Sequence, residues 1–362
     1  MEEIITLDYG SGGLRTSQLI ESILVPAFHN PTLEDLGDGA VLPTMDGPLV
    51  YSTDSFVVTP WRFPGGDIGK LAVCGTVNDV CMAGGQPKYL SLSFIIEEGF
   101  LMEDFKTIVN SIATTAQLAG VQIVTGDTKV VERGKGDGIY INTSGVGPQR
   151  AAGLSRKAIC PGDAVLVSGS VGCHGAAVLM ARGEIPFEGK LYSDGSPLHP
   201  LSAAALQVGG VRILRDPTRG GIATTLNEFV ENRPRTIELE EESIPVDPGV
   251  AASCELLGLA PLYNACEGRM LAVVSLEHAA TVLDARHHTP GEDGATVIGR
   301  VTESRPGRVI LHTTFGGSRI LGKLTGAQLP RIAERHKDIF QIRRKVYCIV
   351  SWNAVHLSIC HL

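Results

Sequence analysis

The chain has 362 residues, 43% of them hydrophobic and 19% charged, with a formal net charge of −8. That length accommodates two domains with separate cores, and the acidic balance excludes a protein that grips nucleic acid through a basic face. No run approaches the roughly 18 apolar residues that cross a bilayer, and Met1-Glu2-Glu3 lacks the basic start of an export signal, so a cytoplasmic protein without membrane contact is expected.

Reading along the chain, Gly10-Ser11-Gly12-Gly13 is a turn whose consecutive backbone N–H groups can face a phosphate. Strands are predicted over residues 49–52, 89–96, 122–125 and 138–143, and helices over 67–83 and 102–119, the latter with Phe105, Ile108, Ile112 and Ala116 along one face. After residues 122–125 a Gly126-Asp127 turn is expected, which would set Asp127 and Lys129 at the mouth of a sheet. A linker over 148–153 divides a first domain, 1–150, from a second, 151–333. In the second, Cys160-Pro161-Gly162-Asp163 feeds a buried strand, helices are predicted over 175–182, 201–207 and 222–230, and residues 271–274 form a core strand. Both halves are α/β mixtures, the first α+β with a mixed sheet. Residues 334–362 differ in character: the last 32 residues hold no glycine or proline, and they carry Arg343-Arg344-Lys345 and Trp352.

Several residues carry possible chemistry. Asp38, Asp54, Asp79 and Asp127 each stand at or near the end of a predicted element, where a carboxylate either caps a turn or binds a cation. In Arg215-Asp216-Pro217-Thr218-Arg219-Gly220-Gly221 the proline fixes a turn, and the helix beyond it favours an anion at its N-terminus. His174, at a glycine-flanked turn, suits either a ligand contact or a satisfied polar turn. Cys74 and Cys81, seven apart on a predicted helix, read as small core residues. With no Cys-x-x-Cys pair, a structural zinc site is not expected.

Gly10–Gly13, the phrase Phe63-Pro-Gly-Gly-Asp-Ile-Gly-Lys-Leu-Ala-Val-Cys-Gly-Thr-Val-Asn-Asp79, residues 125–138 and Arg215–Gly221 together resemble the hydrogenase-maturation carbamoyl dehydratases of the HypE type. These belong to the superfamily of aminoimidazole ribonucleotide synthetase and selenophosphate synthetase, and the likeness runs from about residue 4 to 332. The resemblance implies a two-domain synthetase-like fold and a homodimer joined through the first domain's sheet, with ATP between the domains. It implies nucleotide contacts from Gly10, Ser11, Gly12, Gly13, Asp38, Asp54, Asn78, Asp79, Asp127, Arg219 and Gly220. Magnesium would be held by Asp38, Asp54, Asp79, Asp127 and Asp216. The implied reaction phosphorylates the oxygen of a cysteine-bound carbamoyl group and then expels phosphate to leave a thiocyanate. Lys129 would be the cation beside the phospho-intermediate and Glu267 the base, with His174 near nucleotide or substrate. The implied partners are the carbamoyltransferase of hydrogenase maturation and the scaffold and iron-delivery complex that accepts cyanide.

The chain departs from that pattern in places. Members of the family end on a carrier cysteine just after Pro-Arg-Ile; here Pro330-Arg331-Ile332 is followed by Ala333 and 29 further residues. Cys360, with Cys348 behind it, is the candidate replacement thiol, and an unrelated tail cysteine is the alternative. Cys173 replaces an aspartate, Cys266 an asparagine, Arg269 a lysine and Tyr9 a histidine. These changes leave open a paralogue that phosphorylates another amide oxygen, and a partner-binding homologue without catalysis.

Overall fold

The computed structural model describes residues 3–34, 36–183, 191–287 and 294–324; Ala333, Cys348 and Cys360 lie outside them. The glycine-rich turn opens a helical run of α1 (Leu14–Leu19), a π turn and α2 (Val25–Phe28). Then come β1 (Leu49–Phe56), a small hairpin of β2 (Arg62–Phe63) and β3 (Gly66–Asp67), α3 (Ile68–Met82), β4 (Tyr89–Glu97), α4 (Met102–Ala119), β5 (Gln122–Val131) and β6 (Ile139–Pro148). Asp67 caps α3, its carboxylate accepting the Lys70 N–H at 2.9 Å. Thirteen of the fifteen residues of α3 are buried, so it has no polar face and runs through the middle of the molecule. By contrast α4 is amphipathic and lays Phe105 against Phe94 of β4, ring centroids 5.2 Å apart.

The first sheet has the order β1-β6-β4-β5, mixed as expected: β4 and β5 run parallel, the other pairs antiparallel. Strand alternation puts Leu90, Leu92, Phe94, Ile96, Ile139 and Ile141 on the face under the helices, where all are buried. The opposite face carries Tyr51, Ser93, Ile95, Tyr140 and Asn142, none of them buried.

The expected Gly126-Asp127 turn does not exist. β5 runs unbroken from Gln122 to Val131, with one register shift opposite Leu90 and Ser91. Gly126 serves close approach instead: a Cβ there would stand 2.1 Å from the Leu92 carbonyl oxygen. Asp127 and Lys129 are therefore same-face residues of one strand.

The second half contains β7 (Ala164–Val167), α5 (Cys173–Ala181), α6 (His199–Val208), β8 (Val211–Arg215), α7 (Gly221–Val230), β9 (Thr236–Glu240) and α8 (Pro248–Leu257). It continues through β10 (Leu271–Val274), α9 (Leu276–His287), β11 (Thr296–Thr302), β12 (Arg308–His312) and β13 (Ser318–Leu321). Its sheet has the order β13-β12-β9-β11-β7-β10-β8, antiparallel except for β12 beside β9. One face, with Ala164, Leu166, Ala272 and Val274, joins α6 and α9 in the same apolar cluster as α3 and the first sheet. The other face, with Val165, Val167, Leu271 and Val273, packs under α7 in a separate cluster. The described residues fall within one compact unit.

Gly126→Ala should destabilise the protein by about 1–3 kcal/mol, since the added methyl must push two parallel strands apart. Denaturant unfolding followed by circular dichroism measures this, and an unchanged midpoint would mean β4 and β5 separate freely.

Candidate active site

The residues singled out by sequence fall into two groups on opposite sides of the first sheet. Asp127 and Lys129 sit on β5, at one edge and on the face away from the helices, and their side chains pair at 2.7 Å. That hydrogen bond from Lys129 holds the Asp127 carboxyl below the usual range, helped by the Thr128 N–H. Gly10 lies directly against the Val130 N–H of the same strand, and the Gly12 N–H is held by the Thr16 hydroxyl at 3.0 Å. Ser11 turns its hydroxyl back to the Asp8 carbonyl, and Gly13 leads into α1. At this sheet edge a cleft of about 420 Å³ opens on the helix-covered side, lined by Gly10, Gly12, Phe28, Phe94 and the stretch of β5 that carries Asp127 and Lys129. Asp38 lies between Gly37 and Gly39, which also line that cleft.

The second group gathers where α3 meets the second half. Asp54 projects from β1, at the other sheet edge and on the helix-covered face, and Arg219 reaches to 3.8 Å from it. Asp79 accepts the Ser52 hydroxyl at 2.9 Å; burial, partly offset by that bond, raises its proton affinity. Asp216 is buried where β8 leads to α7. Burial first, then repulsion from Asp79 and Glu267, lifts its pKa to about 7. Glu267 is buried beside them. Gly220 forms the N-cap of α7 in the left-handed conformation.

Asp54 and Asp127 are separated by three strand spacings, roughly 14 Å at about 4.8 Å each, and point to opposite faces. Within one chain the sheet therefore keeps Asp127 apart from the group formed by Asp54, Asp79 and Asp216. Among the described residues no group of three His, Cys, Asp or Glu side chains is arranged to hold a metal ion.

Asn78 has a different engagement from the nucleotide contact expected of it. Its Nδ2 donates to the carbonyls of Ser196 (3.1 Å) and Glu267 (3.2 Å), and its Oδ1 accepts the Leu198 N–H at 2.7 Å. His174 is buried in the first turn of α5, with Nδ1 2.9 Å from the Ser193 hydroxyl and its ring edge-on to Phe63. Asp194, not singled out by sequence, accepts the N–H groups of His174, Glu267 and Gly268. Its only signal was a Ser193-Asp194-Gly195-Ser196 turn, a type that abounds in loops.

The cysteines near the site are not poised as nucleophiles. Burial pushes Cys74 and Cys81 up to about 12 and Cys173 to about 11, and raises Cys266 well above its ordinary value. Cys74 and Cys81 are core residues, as their spacing suggested.

The fold and paired sites define a class. Residues 36–148 match the AIR synthase related protein, N-terminal domain, and residues 160–312 the corresponding C-terminal domain. Carbamoyl dehydratase HypE of Bradyrhizobium diazoefficiens is 49% identical over 332 residues, covering 91% of this chain and 96% of that relative. A crystal structure of the hydrogenase maturation protein HypE in complex with ATP superposes with a TM-score of 0.87 at 44% identity, covering 91% of this chain and 99% of that one. A HypE–HypF complex gives 0.74 at 44% identity, covering 84% and 99%. The chain is a two-domain member of the AIR synthase related proteins. Within them it belongs to the HypE family of carbamoyl dehydratases.

The Asp216 shift fixes the sign of a pH effect. A carboxyl whose folded pKa lies above its unfolded value stabilises the fold while protonated, and that contribution is lost as pH rises toward and through about 7. Metal-free protein should lose stability between about pH 4 and 7, on the order of 1 kcal/mol per pH unit over the steepest part, and level off above. Asp216→Asn should flatten that dependence; parallel thermal-melt profiles for both proteins would contradict it.

Proposed function

We propose that this chain is an ATP-dependent carbamoyl dehydratase that converts a thiol-bound carbamoyl group to a thiocyanate, the source of cyanide ligands for a nickel–iron hydrogenase. The observation that carries this reading is Glu267, a buried carboxylate held by its backbone beside Asp216 and Asp79. It supplies a base in a site shielded from water. The carbamoyl oxygen attacks the γ-phosphorus of ATP, and the bond to ADP breaks with its electrons on ADP. Glu267 accepts a proton from the carbamoyl nitrogen. That leaves an O-phosphorylated imidate with one N–H; its proton passes to the departing phosphate as the N–H electron pair forms the carbon–nitrogen triple bond and the carbon–oxygen pair leaves with phosphate. Lys129 balances charge on the transferred phosphoryl group.

Asp54, Asp79 and Asp216 offer the hard oxygen donors magnesium prefers, though among the described residues of one chain no three such groups are arranged to hold the ion; a cation there would relieve the repulsion from Asp79 and Glu267 that adds to burial in raising the proton affinity of Asp216. Asp38 and Asp127 would complete its surroundings, with Gly10–Gly13 and Arg219-Gly220 at the nucleotide. Magnesium there would neutralise phosphate charge.

Because one chain keeps Lys129 and Glu267 apart, the reading requires a homodimer in which the β5 edge of one subunit faces the β1 side of its partner. The open sheet face and the edge strand β1, with Leu49 54% and Tyr51 67% exposed, suit such a junction. Partners would be the carbamoyltransferase of the pathway, in keeping with the HypE–HypF complex of a relative, and the scaffold and iron-delivery complex that takes the cyanide.

Lys129→Ala and Glu267→Gln should each bind ATP and lower thiocyanate formation by about 10²–10⁴-fold. Mixing the two variants should restore turnover, because one site of each heterodimer is intact. Full turnover by either variant alone, or none from the mixture, would refute the shared site.

Ala333 bears no thiol, so the unmodified chain should form thiocyanate only on a thiol supplied elsewhere. Ala333→Cys, truncated after residue 333, should gain activity with the carbamoyltransferase, carbamoyl phosphate and ATP. Intact mass spectrometry of the full-length chain, finding the carbamoyl or cyano adduct on Cys360, would instead identify the tail as carrier.

A further inference from the structure

We infer that Asp194 is a positioning residue for the base, fixing the peptide of Glu267 from the side opposite Asn78. This rests on the reading of Glu267 as the base. The Asp194 side chain is 1% exposed. A carboxylate so deeply buried is retained only where hydrogen bonds replace its water. Here the bonds all go to main chain: Oδ1 accepts the His174 N–H at 2.9 Å, and Oδ2 accepts the N–H groups of Glu267 at 3.2 Å and Gly268 at 3.1 Å. Arg269 stands at 3.9 Å and partly balances the charge, while its Nε is committed to the Ser170 carbonyl.

The same peptide is held on its other side. The Glu267 carbonyl accepts from Asn78 of α3, which also fixes Ser196 and Leu198 in the segment that carries Asp194. Contact at Gly268 is close enough that a Cβ would fall 1.9 Å from the Asp194 carbonyl oxygen. Donor and acceptor of one residue are thus both anchored, through bonds that specify neither fold nor sheet pairing. Such anchoring is what keeps a carboxylate aimed: a displacement of about 1 Å at a reacting group can cost on the order of 10²-fold in rate. Because Oδ1 also holds the first turn of α5, the anchor places His174 and Glu267 relative to one another.

Asp194→Asn keeps the shape but has one acceptor atom where three N–H groups need two. In the full-length chain, supplied with ATP, magnesium and an S-carbamoylated cysteine peptide, turnover should fall about 10- to 100-fold, with ATP affinity within about twofold of wild type. Amide hydrogen exchange at Glu267 and Gly268 should accelerate while α3 and α4 keep their protection. In the Glu267→Gln background, Asp194→Asn should lower the residual rate by less than about twofold, because a misplaced glutamine loses little that matters. Unchanged exchange at Glu267 and Gly268 would overturn the anchor whatever the turnover. Accelerated exchange with the same rate loss in both backgrounds would overturn its link to the base. If Glu267→Gln itself retains wild-type turnover, the base assignment fails, and exchange alone decides whether Asp194 holds the loop.

Discussion

Three hydrogen bonds from one buried amide, Asn78, join the central helix to the loops that carry the second half of the site. Removing the amide would strand two carbonyls and an N–H away from water, at about 1–3 kcal/mol each. The helix that presents it is buried almost all round and cannot shift to accommodate a change. A rigid core element thereby dictates where the Glu267 loop lies. Asp216 and Asp79 take their places at the same junction, so the electrostatics of the site follow from this attachment.

That electrostatic arrangement is asymmetric. On β5 the carboxylate of Asp127 is neutralised within its own strand by Lys129. At the junction Asp79, Asp216 and Glu267 repel one another, and burial compounds the repulsion. One side of the sheet is thus electrically settled and the other holds a surplus of negative charge. A cation with its phosphate ligands suits the second, and a helix-opening glycine turn the first.

Much of the first half was legible in the sequence. The α4 stripe of Phe105, Ile108 and Ile112 and the capping Asp67 before α3 both signal their elements through local chemistry, and local chemistry is what sequence displays. Gly126-Asp127 misled because glycine beside aspartate has two physical meanings, a turn and a close strand contact, and only the neighbouring Leu92 carbonyl distinguishes them. In the second half β8, β9, β11, β12 and β13 went unnoticed: burial on both faces erases the alternation in the central strands β9 and β12, and the edge strands β8 and β13 bury too few side chains to display one. Asp54 stood out as a carboxylate near a strand end, and Glu267 through family likeness. Their grouping did not, because which face and edge of a sheet a residue occupies depends on strand order. Asp194 was invisible for a related reason: a side chain that binds distant main chain leaves no pattern in its own neighbourhood.

The apolar cluster that passes without a break from the first sheet through α3 into α6, α9 and the second sheet bears on how the enzyme moves. Two halves sharing one oil-filled interior do not swing on a hinge, since opening would wet their common core at about 25 cal/mol for every Å² exposed. Access to the cleft falls to what lies outside that interior. Gly10, Gly12, Gly37 and Gly39 border the cleft and lie outside that interior.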